Sequence, residues 1–315
     1  MKLSLVVPCY NEEDSIDMFY KAVKDSFTDR VTDFEIIFVN DGSKDNTLEK
    51  LRSIYRSGET KTKVINLSRN FGKESAMYAG LQQAVGEYVC IIDADLQQRP
   101  ELVLEMMQIL EEQPKIDCVA AYQKDRNEGR ILSFFKKSFY KLINTMSEVE
   151  FRTGASDFRT FRQSVNKAII GMQEYYRFSK GIFSWVGFEV YYMPYKVEER
   201  VGGTSKWSFR KLFRYAIDGI MAFTTAPLKI ASTVGVVSIL ISIVYFIVYL
   251  LDYINNHQVM TSGQCLIGLV ILFSGIQCII LGIIGGYLSR LYVQGKNRPI
   301  YIAKEILGYE ENKDD

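Results

Sequence analysis

The sequence predicts an α/β fold, a mostly parallel sheet with helices on both faces, followed by a membrane hairpin. Two observations predict the sheet domain. Short apolar runs alternate with amphipathic helical patterns along the first part of the chain, and several runs end in acidic or turn-forming residues. A third observation predicts the hairpin, because two long stretches without a charged residue follow residue 228.

Taken in order, LSLVVPCY reads as a strand and EEDSIDMFYKAVKDSF as an amphipathic helix. FEIIFVNDGS is a second strand. KDNTLEKLRSIY is a helix opened by the cap-type residues Asp45 and Asn46. KVINLS is a strand, GKESAMYAGLQQAV a helix and EYVCIIDAD a strand. RPELVLEMMQILEEQ is a helix with Pro100 suited to its first turn, and DCVAAY is a further strand. Parallel sheets of this kind bind ligands at the carboxyl ends of their strands. Those ends carry PCYNEE, NDGS and DAD.

The 315 residues carry a net charge of +1, which excludes the strongly basic footprint of a bulk nucleic-acid binder. The five cysteines lack CxxC spacing and read as buried free thiols of a reducing compartment. His257 is the one histidine, so a His-rich metal site is excluded and a catalytic base is sought among carboxylates. The opening MKLSLVVPCYNEE has too short an apolar run for a secretory signal.

Ile230–Leu251 and Cys265–Ser289 are each long enough to span a bilayer. Lys206, Arg210, Lys211, Arg214 and Lys229 precede the first run, and Arg290, Lys296 and Arg298 follow the second, while the connecting loop has no Lys or Arg. The positive-inside rule then puts both termini in the cytoplasm. Two basic amphipathic segments read as interfacial helices against membrane lipids: 133–147, with Phe135, Phe139 and Leu142 on one face and Lys136, Lys137 and Lys141 off it, and 206–227.

Asp93 and Asp95 are two residues apart and would point the same way in a strand, with Gln97 continuing the parity. Such a set suits a hard divalent cation that also takes substrate phosphates. A turn and helix cap before Pro100 is the alternative for the motif alone. Asp41, and Tyr10 with its acidic neighbours, add two more acidic strand ends, and the three together look like a nucleotide site with metal.

At this point the ordered motifs VVPCYNEE, VNDGSKDNT, RNFGKESAMYAGLQQAVGEYVCIIDADLQ, SDFRTF and RVGGTSKWS resemble family 2 glycosyltransferases of GT-A, Rossmann-like fold. The nearest likeness is to the polyprenyl-phosphate branch, which includes dolichyl-phosphate mannose synthases and bacterial undecaprenyl-phosphate glucosyltransferases. The resemblance covers about residues 1 to 225 and implies a role for each matching residue. Pro8, Tyr10, Glu12 and Asp41 would line the uracil and ribose site of a UDP-sugar, and Gly72 and Lys73 would approach the nucleotide. Asp93, Ala94, Asp95 and Gln97 would engage the diphosphate, with Asp93, Asp95 and Gln97 on a Mg²⁺ or Mn²⁺ ion. Asp157 would be the catalytic carboxylate, and Arg200 and Lys206 would bind phosphate. Many relatives read DADLQDPPE, whereas Gln98 and Arg99 stand here, which makes these two tuning or neutral positions.

The implied reaction is inverting transfer of a sugar, glucose first, from a UDP-sugar to undecaprenyl phosphate at the cytoplasmic membrane face. UDP-N-acetylglucosamine or GDP-mannose as donor, a processive synthase and a non-catalytic scaffold are the alternatives. The expected partners also include a second copy of the chain in a homo-oligomer, a flippase and an outer-face transferase. Trp185, in a stretch faintly like a processive-synthase signature, reads as core packing ahead of sugar stacking. The expected division is a catalytic domain over 1–205, a juxtamembrane helix over 206–227, two spans over 228–289 and a cytoplasmic tail over 290–315.

Overall fold

The computed structural model describes residues 1–28, 30, 31, 33–123, 155–196, 226–256 and 262–308. Strands β1 (Leu3–Cys9), β2 (Phe34–Asn40), β3 (Lys61–Leu67), β4 (Tyr88–Ile91) and β5 (Cys118–Gln123) alternate with helices α1 (Ile16–Phe27), α2 (Thr47–Ser57), α3 (Lys73–Gln83) and α4 (Glu101–Glu112). Every strand and helix expected over this stretch therefore has a counterpart, although β4 is shorter than expected. After it come β6 (Ala155–Arg162), α5 (Gln163–Gly171), α6 (Ser179–Trp185) and β7 (Val190–Tyr195). Two long helices, α7 (Ala226–Asn256) and α8 (Ser262–Gly295), precede β8 (Ala303–Leu307). The expected phosphate binders Arg200 and Lys206, the segment 133–147, residues 206–225 and His257 lie outside the described residues.

One sheet runs in the order β7-β5-β6-β4-β1-β2-β3-β8. Its centre, β4-β1-β2-β3, is parallel, and β6 enters antiparallel between β4 and β5. The central strands are buried along almost their whole length because helices cover both faces. Phe19, Phe27, Leu51 and Val103 fill the core under α1, α2 and α4. Ala76, Met77, Val165 and Ile182 fill the other side under α3, α5 and α6. A Cβ on Gly80 would lie 2.4 Å from Val6 Cγ1 and 3.1 Å from Val39 Cγ2, so glycine lets α3 seat directly on β1 and β2.

β4 stops at Ile91, four residues short of the strand expected to reach Asp95. The last ladder bond runs from Ile92 N–H to Val6 C=O at 3.1 Å; beyond it the side chain of Gln98 takes the Asp93 N–H, and the chain turns with Leu96 at φ +58°. The two-residue parity of a strand therefore does not order Asp93, Asp95 and Gln97. Two further expectations are corrected. Trp185 is 58% exposed on the last residue of a short helix, not in the core. Cys278 is exposed on α8, whereas Cys9, Cys90 and Cys118 are buried free thiols as expected.

α7 and α8 pack against one another. Among the described residues, Phe273–Gly295 is long and apolar enough to cross a membrane by length and composition. Beyond it the chain returns to the sheet. β8, within the segment expected as a tail, pairs antiparallel with β3, and its Glu305 meets Arg52 on α2 at 2.6 Å.

Candidate active site

The loops after β1 and β2 are stitched to each other. Asn11, at φ +52°, receives a bond from Lys44 N–H at 2.8 Å and donates its own N–H to Ser43 Oγ at 3.0 Å. Glu12 N–H donates to Thr47 Oγ1 at 2.8 Å, and the Glu12 carboxylate accepts from Ser15 Oγ at 2.9 Å. Pro8 lies opposite Val39, one pair before the β1 ladder ends at Cys9 and Asn40, and Tyr10 follows at the strand's carboxyl end, half-buried. The loops that end these adjacent parallel strands are thus tied to each other.

Asp41 is buried and turned inward. Its two oxygens accept the N–H groups of Phe71 and Gly72 at 2.7 and 3.0 Å, and so it holds the loop that starts α3. Burial pushes its carboxyl up, against the pull of those two bonds and of Arg69. Gly42 allows the approach: it sits at φ +62°, and a Cβ there would lie 2.4 Å from the Arg69 carbonyl carbon.

That loop aims Lys73 at two carboxylates. Lys73 Nζ lies 2.6 Å from Asp93 Oδ1, 2.9 Å from Asp93 Oδ2 and 3.4 Å from Asp157 Oδ2. Asp93 comes from the turn after β4. Asp157 comes from β6, whose register with β4, Ile91 opposite Arg159, brings it beside that turn. Desolvation lowers the Lys73 pKa, but Asp93 and Asp157 outweigh it and hold the ammonium firmly charged. Burial raises the Asp157 carboxyl, yet Lys73, Lys180 and Arg159 together bring it below its ordinary value. Asp157 Oδ1 is buried and finds no hydrogen-bond partner among the described residues. An ionised carboxylate with one free oxygen is suited to accept a proton or orient an acceptor.

Glu74 and Ser179, which sequence reasoning passed over, and Gln98, which it left as a tuning or neutral position, complete the site. Glu74 accepts two bonds from Ser179, from N–H at 3.0 Å and from Oγ. Burial and the neighbouring Asp157 push its carboxyl up to about 7. Gln98 is buried, accepts from Asp93 N–H at 3.1 Å and reaches Ser156 Oγ at 3.5 Å. Of the two roles left open for Gln98, its burial and bonds fit tuning. Ser179 has no sequence signal of its own, since its partner lies 105 residues away.

Among the described residues no three His, Cys, Asp or Glu side chains gather as a metal cage. Two carboxylates at one turn, Asp93 and Asp95, match a Mg²⁺-type site in which substrate phosphates supply the remaining oxygens. Asp95 Oδ1 also accepts the Gln97 N–H at 3.2 Å, which ties Gln97 to the same turn. Ala94 is buried beneath it.

Residues 4–170 match the family described as "Glycosyl transferase family 2". A Bacillus subtilis protein named as a glycosyltransferase, CsbB, is 38% identical over 96% of this chain and 91% of its own. A prophage bactoprenol glucosyl transferase homolog of Escherichia coli is 36% identical over 97% of this chain and 99% of its own. A crystal structure of glucosyl-3-phosphoglycerate synthase from Mycobacterium tuberculosis with Mn²⁺, UDP-glucose and phosphoglyceric acid aligns at TM-score 0.46 and 19% identity, over 70% of this chain and 77% of that one.

Proposed function

The chain belongs to glycosyl transferase family 2, and from that premise we propose that it moves glucose from UDP-glucose to undecaprenyl phosphate at the cytoplasmic face of a membrane. The observation that carries the reading is the meeting of Lys73, Asp93 and Asp157 at the carboxyl edge of a parallel sheet whose chain continues into long apolar helices. A bactoprenol glucosyl transferase homolog matched over nearly its whole length supports the lipid acceptor and the glucose.

In this reading the acceptor phosphate oxygen attacks the anomeric carbon, the bond from that carbon to the diphosphate breaks, and UDP leaves with inversion. The acceptor is already anionic near neutral pH. Asp157 therefore orients it and takes any residual proton on its free oxygen. Lys73 balances charge between the two carboxylates and the diphosphate. Asp93, Asp95 and Gln97 would hold a Mg²⁺ or Mn²⁺ ion, which when bound neutralises the departing diphosphate. Pro8, Tyr10 and Glu12 border the nucleoside, and Gly72 lets backbone approach the diphosphate.

The topology supports a two-span anchor. β1 and β8 belong to one sheet, so the chain between them crosses a bilayer an even number of times. If Phe273–Gly295 crosses, a second crossing must precede it, and α7 contains the uncharged run 230–251. The flanking Lys and Arg residues favour a cytoplasmic catalytic domain.

The test is a donor panel. Purified protein receives radiolabelled UDP-glucose, UDP-N-acetylglucosamine or GDP-mannose with undecaprenyl phosphate, with and without Mn²⁺ or Mg²⁺. Label from UDP-glucose is expected in the lipid phase, and chelation should abolish it. No lipid-phase label from any donor would overturn the reading.

A further inference from the structure

At the carboxyl end of α8 the side-chain amide of Gln294 fastens the helix to the catalytic domain. Gln294 Oε1 accepts the Tyr175 N–H at 2.8 Å, and Gln294 Nε2 donates to the Gln173 carbonyl at 2.9 Å. One side chain therefore satisfies two backbone groups of the loop joining α5 to α6, as a neighbouring strand would. One turn earlier on α8, the Arg290 guanidinium lies 4.9 Å from the Tyr176 ring centroid. After Gly295 the chain is caught again, with Ser68 N–H on the Ile302 carbonyl at 2.9 Å and the Tyr301 hydroxyl on Gln82 Oε1 at 2.8 Å.

The clamped loop leads straight to the site. Arg177 bonds back to the carbonyls of Ile169 and Met172, and its guanidinium lies 4.3 Å from the Tyr78 ring centroid on α3. Two residues on, Ser179 holds Glu74, the neighbour of Lys73. Five residues thus join the helix that ends Phe273–Gly295 to the group beside Asp157. A lipid phosphate is confined to one height at the bilayer surface, so the domain must be held at a matching height for attack. A misplacement of about 1 Å is enough to lose on the order of 100-fold in rate.

Building on the proposed lipid-phosphate acceptor, we infer that Gln294 is a positioning residue that sets the catalytic loop and Asp157 relative to the second membrane helix. Its side-chain bonds go to the backbone of the α5–α6 loop. Its loss should fall on the membrane-confined acceptor alone, because an acceptor free in water finds the site at any height.

The experiment compares wild type, Gln294→Leu and Gln294→Glu in vesicles of phosphatidylethanolamine and phosphatidylglycerol. Each receives UDP-glucose and either bilayer-inserted undecaprenyl phosphate or water-soluble geranyl phosphate. Gln294→Leu should lower kcat/KM for undecaprenyl phosphate by about tenfold or more. Its KM for UDP-glucose and its transfer to geranyl phosphate should stay within about twofold of wild type, and its melting temperature within about 4 °C. Gln294→Glu keeps the acceptor for Tyr175 N–H and should recover part of the loss. Equal losses on both acceptors, or no loss on either, would overturn the positioning role. A wild type that glucosylates neither acceptor would instead overturn the acceptor assignment, and the positioning role with it.

Discussion

The ammonium of Lys73 lies within 3 Å of both carboxylate oxygens of Asp93. It reaches Asp157 on the other side at 3.4 Å, so one cation bridges the candidate metal carboxylate and the candidate catalytic carboxylate. Two acids this close would repel without it, and the first to suffer would be the ionised state of Asp157.

Lys73→Met should therefore do more than lower affinity for the diphosphate. Transfer should fall on the order of 100-fold or more, as for loss of a preorganised charge at a reacting centre. Asp157, now lacking its nearest cation and facing Asp93, should titrate at higher pH. The acid limb of kcat against pH should accordingly move upward. Steady-state kinetics over a pH series checks both, and an unmoved acid limb would remove Lys73 from the control of Asp157.

Glu74 makes a sign-definite statement about pH and stability. Its carboxyl is pushed up to about 7 from an ordinary value near 4.5 by burial and by Asp157, against the Ser179 bonds. Between those two values the folded protein holds a proton that the unfolded chain has released. Stability therefore falls as pH rises from about 4.5 to about 7. Glu74→Gln keeps an acceptor for Ser179 and removes the ionisation. It should match wild type at pH 4.5 and be more stable by about 1–3 kcal/mol at pH 8. Thermal melts of both proteins across this range provide the measurement.

Gly80 tests whether the seat of α3 matters to the site at its amino end. With 2.4 Å available to Val6 Cγ1, Gly80→Ala must push α3 off β1 or twist Val6. A destabilisation of about 1–3 kcal/mol is expected from overpacking of this size. Gly58, which closes α2 at φ +62° with nothing within 4 Å of a Cβ, serves as a control for backbone strain without crowding. Denaturant midpoints for both alanine variants separate the two effects.

The alternation of short apolar runs and amphipathic helices made the first five strands readable, because each run is local and its period is unmistakable. Lys73, Asp93 and Asp157 were named from the sequence as candidates for one site, and the fold brings all three together. β8 was not readable. Its five residues alternate between half-buried and exposed, and its pairing partner β3 lies more than two hundred residues earlier. Glu74 and Ser179 escaped for the same reason, since neither means anything until α6 is packed against α3. The strand expected through Asp95 failed because local pattern cannot see Gln98 intercepting the Asp93 N–H.

Gln98 offers the sharpest check on that interception. It is 5% exposed and joins the Asp93 backbone to Ser156, the residue before Asp157, so one amide keeps the two halves of the site in register. Gln98→Leu fills the same space but strands the Asp93 N–H. It should cost about 1–3 kcal/mol in stability for a buried unsatisfied group. The turn that carries Asp93 should then lose its fixed geometry, and kcat should fall by about tenfold or more with KM for UDP-glucose changing less. Gln98→Glu retains an oxygen for the Asp93 N–H and should recover most of the stability. Its added negative charge beside Asp93 should still depress transfer. If Gln98→Leu and Gln98→Glu instead lose stability and kcat to the same degree, the acceptor bond to Asp93 is not what Gln98 contributes.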